Sequence, residues 1–135
     1  MKKVLTVGVY DLLHIGHVNL FRRARAVGDQ LVVAVQESEV VLKYKPEAKL
    51  VYTTEERMYM VKAIRYVDEA VAQTTMDKTV AWQNLKFDAI FHGDDWKGTG
   101  YYNECEEQLK KLGVDVVFLP HTPGISSTDI VKKIK

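Results

Sequence analysis

Cysteine is nearly missing from this chain: Cys105 stands alone among 135 residues. No internal disulfide can form, and a lone thiol suits a reducing, cytoplasmic setting. An excess of one charge is missing too. The 19 Lys and Arg are balanced by 18 Asp and Glu, so nothing resembles the basic excess or stripe of a nucleic-acid partner. No apolar run approaches the ~20 residues that cross a bilayer as a helix, so no membrane partner is expected. Met1-Lys2-Lys3 has the basic start of a signal peptide, but the apolar stretch behind it stops at Val7, before Gly8 and Asp11. A cleavable signal is therefore not expected. Internal repeats, low-complexity tracts and linkers are also absent, which leaves one domain over residues 1–135 with enough length to bury a real core.

What the chain does contain is short apolar runs alternating with helix-period segments, the pattern of a parallel α/β sheet. Strands are expected at Lys3–Gly8, Gln30–Gln36, Tyr66–Ala72, Asp88–Gly93 and Val114–Leu119. The second, apolar from Leu31 to Val35, reads as a central strand buried on both faces. Helices are expected from Gly16 to Val27, with Gly28 just past the last turn, and from Thr53 to Ile64, opened by a threonine cap and acids. That helix should bury Met58, Val61 and Ile64 and expose Arg57. Further helices fall at Asp77–Leu85, Asn103–Leu112 and Ser127–Ile134, and residues 37–52, rich in lysine, read as a loop. The fold class is α/β: a single Rossmann-like domain built on a doubly wound, five-stranded parallel sheet. In such sheets ligands bind beyond the carboxyl ends of the strands. The turn Gly8–His17 and the loops after Gln36, Gly93 and Leu119 should therefore meet.

Those segments hold the unusual chemistry. An apolar strand breaks at Gly8, passes Val9, Tyr10 and Asp11, and reaches His14-Ile15-Gly16-His17 before the chain turns helical. Free amides at a helix N-terminus converge on one place, where the helix dipole favours negative charge. Histidines three apart share one face of that turn and can serve one anion, as imidazolium or as a neutral ring donating one N–H. A zinc pair is the rival reading, but no third ligand stands at a familiar spacing. Asp11 either orients a histidine or the helix start, or is a plain turn aspartate. Lys43 and Lys45 are mobile point charges suited to phosphate. Gly93-Asp94-Asp95-Trp96 offers close backbone approach, a carboxylate and a flat wall for a ring. Pro120 to Thr128 ends in hydroxyls and amides at a helix start, a natural phosphate cradle.

GVYDLLHIGH closely resembles the first motif of the cytidylyltransferases, within the HxGH nucleotidyltransferase superfamily. TTEERMYMVKAIRYVDEAV, GDDW and HTPGISST are similar to later segments of that family, in the same order and over the whole chain. The one departure is His121, where the family usually has arginine. The resemblance, nearest to the glycerol-3-phosphate type, implies transfer of CMP from CTP to a small alcohol phosphate, with Mg2+ arriving on the triphosphate and a homodimer as the assembly. It implies His14 and His17 as transition-state donors, with Lys43 and Lys45 in catalysis and acceptor binding. Arg65 and Lys78 would also hold the acceptor, with Arg65 at the phosphate or the dimer interface. Gly8, Val9, Tyr10, Asp11, His14, His17, Gly93, Asp95 and Trp96 would surround the nucleotide. His121, Thr122, Gly124, Ile125, Ser126, Ser127 and Thr128 would complete that pocket, and no protein side chain is assigned to a metal. Other readings stay open: phosphocholine, phosphoethanolamine or another polyol phosphate as acceptor, an ATP-using adenylyltransferase, or a non-catalytic nucleotide sensor.

Overall fold

The computed structural model describes residues 2–74, 78–93 and 107–119. In chain order the elements are β1 (Lys3–Gly8), α1 (Ile15–Val27), β2 (Gln30–Gln36), α2 (Ser38–Tyr44), α3 (Thr54–Lys62), β3 (Glu69–Gln73), α4 (Lys78–Leu85), β4 (Ala89–Gly93) and β5 (Asp115–Leu119). Residues 107–111 are helical as well. All five strands pair in parallel in the order β3-β2-β1-β4-β5. The chain therefore reverses its direction of travel across the sheet between β1 and β4, and that is the switch point where such sheets bind ligands.

Alternation along the strands divides the core in two. Val33, Val35 and Phe91 face Phe21 and Ala24 of α1 and Val61 of α3. Leu5, Val32, Ala34 and Ile90 face the other way, toward Phe87, Leu109 and Val114, with Trp82 and Leu85 of α4 packed alongside. Both faces of β2 are apolar because both are covered, as its sequence predicts.

The amino edge of the sheet is stitched by side chains. Asp29, Asp68 and Asp88 each precede a strand and accept from the backbone amide of a neighbouring strand's start, at Lys2 (2.7 Å), Leu31 (2.7 Å) and Lys3 (2.8 Å). Gly28 has a different reason from the one its position suggests. Its backbone is extended, with φ −117°, so no left-handed cap is formed. A Cβ there would lie 2.5 Å from Val4 Cγ2, so glycine is required by the close approach of α1's end to β1.

Two expectations are corrected. Residues 38–44 form α2 where a loop is predicted. The lysines masked a segment whose Val40 and Val41 are buried, and burial overrides the low helix propensity of β-branched residues. Arg57, expected on the exposed face of α3, is 0 % exposed. Its spacing shows why: Arg57, Val61 and Ile64 recur at i, i+4 and i+7, so the stripe that buries Val61 also carries the arginine inward. The expected helices over residues 103–106 and 127–134 lie outside the described residues.

Candidate active site

The turn after β1 is built around a tyrosine in an uncommon conformation. Tyr10 has φ +53°, and its ring folds back over Gly8, where an added Cβ would meet Cζ at 2.7 Å. The Tyr10 hydroxyl lies 3.0 Å from Thr6 Oγ1, and the ring meets Phe21 and His17 edge-on, at 5.2 and 5.4 Å between centroids. Burial pushes the phenol well above its usual range, and the hydrogen bond with Thr6 pulls part of the way back. At 5 % exposure, Tyr10 supports His17 from behind.

α1 then opens with its two histidines capping each other. The backbone amide of Gly16 donates to Nδ1 of His14 at 3.0 Å. The backbone amide of His14 donates to Nδ1 of His17 at 3.2 Å. This is a capping box with imidazoles in place of the hydroxyl and carboxylate that usually form one. A ring whose Nδ1 accepts carries its proton on Nε2. The two rings also stack, with centroids 3.9 Å apart and planes 29° apart. Of the two forms open to the sequence, this geometry suits the one in which each ring presents an Nε2–H donor at a helix N-terminus.

Asp11 serves the segment before α3 rather than a histidine or the start of α1. Its carboxylate accepts from the backbone amides of Val51 (2.8 Å) and Tyr52 (2.9 Å), tying the glycine turn to the segment that leads into α3. Arg57 completes that tie from inside. Its guanidinium donates to the carbonyls of Val9 (2.9 Å), Gln36 (2.7 Å) and Tyr52 (3.3 Å). It also donates to the hydroxyls of Ser38 (2.8 Å) and Thr54 (3.3 Å). Burial pushes the guanidinium down from its ordinary value, and Asp11 and then Glu55 push it back up. Together, Arg57 and Asp11 fasten the phosphate turn to the end of β2, the start of α2 and the start of α3.

The remaining predicted residues divide. Gly8 ends β1 at the site edge, and Val9 contributes its carbonyl to Arg57. Lys43 and Lys45 stand exposed in the last turn and at the cap of α2, which leaves from the same sheet edge as α1. Arg65 lies between α3 and β3, exposed, with its guanidinium 6.0 Å from the Tyr66 ring. Lys78 opens α4 and Gly93 closes β4, but the Lys78 side chain lies outside the described residues. So do Asp95, Trp96, His121, Thr122, Gly124, Ile125, Ser126, Ser127 and Thr128. Among the described residues no three His, Cys, Asp or Glu side chains converge as a metal site, and no helix is long and apolar enough to cross a membrane.

A doubly wound parallel sheet with a histidine-capped helix at its switch point defines a phosphate-handling α/β protein. Comparison narrows the class. Residues 5–133 match the family model described as cytidylyltransferase-like, and the chain belongs to that family. It is 38% identical over 143 residues to a glycerol-3-phosphate cytidylyltransferase of Bacillus subtilis, spanning 99% of this chain and 98% of that protein. It is also 38% identical over 131 residues to an ethanolamine-phosphate cytidylyltransferase of Mus musculus, covering 94% of this chain but 31% of that longer protein. Among solved structures, a lipopolysaccharide core biosynthesis protein from Thermoplasma volcanium superposes with a TM-score of 0.73 at 25% identity, over 90% of this chain and 97% of that one.

Proposed function

We infer that the protein transfers CMP from CTP to a small alcohol phosphate, glycerol 3-phosphate first among them, releasing pyrophosphate and a CDP-alcohol. A phosphate oxygen of the acceptor attacks the α-phosphorus in line while the bond to the β-phosphate oxygen breaks. No general base is needed, because the nucleophile is already an anionic oxygen. The observation that supports this most is the histidine capping box. Two neutral Nε2–H donors, fixed by backbone hydrogen bonds at a helix N-terminus, suit charge that grows on the α-phosphate oxygens in the transition state. Lys43 and Lys45 would neutralise the incoming phosphate, and Ser127 and Thr128 would hold the β- and γ-phosphates.

Mg2+ would ride on the triphosphate and offset its charge, since this ion keeps several waters and is commonly held by substrate phosphates. The described donor set fits that arrangement better than a protein cage, because Asp11 is already engaged by two backbone amides. A homodimer in the cytoplasm is part of the same reading. It is supported by Tyr59, 78 % exposed on α3, and by an open hollow of about 380 Å³ lined by Tyr52, Tyr59 and Met60 with Glu55 and Glu56.

Pyrophosphate release is the direct test, with CTP or ATP set against a panel of alcohol phosphates. Turnover that requires CTP and one such acceptor supports the reading. CTP binding without pyrophosphate from any acceptor refutes it in favour of a sensor, and a requirement for ATP refutes the choice of nucleotide.

A further inference from the structure

Gln73 closes β3 at the carboxyl edge of the sheet, and it is 5 % exposed. Its carboxamide nitrogen and oxygen are both covered, and neither has a hydrogen-bond partner among the described residues. Other buried polar groups are engaged: Thr6 bonds with Tyr10, and Arg57 with three carbonyls and two hydroxyls. Buried polar side chains are nearly always paired, because each unpaired one forfeits its hydration without replacement. A leucine or methionine would fill the same volume without that loss. An unpaired amide at this place therefore needs a reason outside the stability of the fold.

Its position supplies one. Gln73 stands opposite Gln36 in the β2–β3 register. Val71, two residues earlier on the same strand face, packs against the core cluster that holds Leu5, Val32, Ala34 and Ile90. Gln73 thus takes the last place on that face, at the edge where β1 runs into the histidine turn. Two strand spacings separate β3 from β1, about 10 Å in all, within the span of a small alcohol phosphate reaching out from the reacting phosphorus. On the far side of β1, β4 and β5 lead into the two segments that the sequence assigns to the nucleotide. The acceptor is left the β2–β3 side, where α2 also carries Lys43 and Lys45.

The geometry points to Gln73 as the residue that reads the hydroxyls of the acceptor, which is then a polyol phosphate rather than an amino-alcohol phosphate. A carboxamide presents donors and an acceptor together, the complement of adjacent hydroxyl groups. It presents no charge to an ammonium, which is better held by a carboxylate or an aromatic face. This inference rests on the cytidylyl-transfer reading above.

The test is steady-state kinetics of Gln73→Leu and Gln73→Met with glycerol 3-phosphate and with phosphoethanolamine, alongside thermal melting of each variant. Both variants should melt no lower than the parent, since an unpaired buried amide has been removed. The KM for glycerol 3-phosphate should rise at least tenfold while the KM for CTP changes less than twofold, because an unmet hydroxyl is penalised only in the acceptor pocket. An unchanged acceptor KM in the folded variants overturns the inference and leaves cytidylyl transfer standing. So does a parent enzyme that prefers phosphoethanolamine. A marked fall in melting temperature in both variants also overturns it, by making the amide a structural group. If the parent releases pyrophosphate from CTP with none of the acceptors, the functional reading fails and this one with it.

Discussion

At the scale of single residues, the site depends on which nitrogen holds a proton. In both His14 and His17, Nδ1 accepts a backbone amide, so nitrogen chemical shifts at neutral pH should report the Nε2–H tautomer in each ring. Removing a donor aimed at developing charge typically slows turnover by about a hundredfold or more. His17→Ala should show that loss in pyrophosphate release with the CTP KM little changed, and near-normal turnover would remove the histidine from the mechanism. Tyr10→Phe probes the support behind it. The change strands the buried Thr6 hydroxyl and should cost about 1–2 kcal/mol in denaturant unfolding.

At the scale of elements, Arg57 is the piece on which the edge depends. Arg57→Met would leave three carbonyls without their donor in a dry setting and should cost about 3 kcal/mol or more. Arg57→Lys keeps the charge but not the fork, and should recover little of that loss. Asp11→Asn replaces one acceptor oxygen by an amide facing a backbone N–H. It should cost about 1–2 kcal/mol and raise the acceptor KM, both measurable on one preparation. The sequence disclosed these elements unevenly. Strands with apolar residues on both faces, such as Leu31–Val35, announced themselves because their burial is local in origin. α2 did not, since what holds it is contact with residues distant in the chain. Arg57 sat on the stripe of Val61 and Ile64, but charge outweighed spacing in the reading, and no local pattern foretells five partners on four segments. Gln73 gave no signal, because an amide closing a strand looks ordinary until its partners are sought.

At the scale of the whole molecule, the two edges of the sheet are finished differently. Aspartates close the amino edge onto backbone amides, while the carboxyl edge collects histidines, lysines and an unpaired amide. The exposed face of α3 gives the assembly its own test. Tyr59→Glu should shift the mass found by sedimentation equilibrium toward a single chain, and an unchanged mass would place any interface elsewhere. The clamp formed by Arg57 and Asp11 has a consequence for descent as well as for stability. It grips mainly main-chain atoms, at Val9, Gln36, Val51 and Tyr52, helped by the hydroxyls of Ser38 and Thr54. Between Ser38 and Val51 it touches no side chain. That stretch is held at its two ends like a cartridge in a socket, so residues 46–50 can be rewritten while the buried Val40 and Val41 and the lysines of α2 keep their places beside the phosphate chemistry.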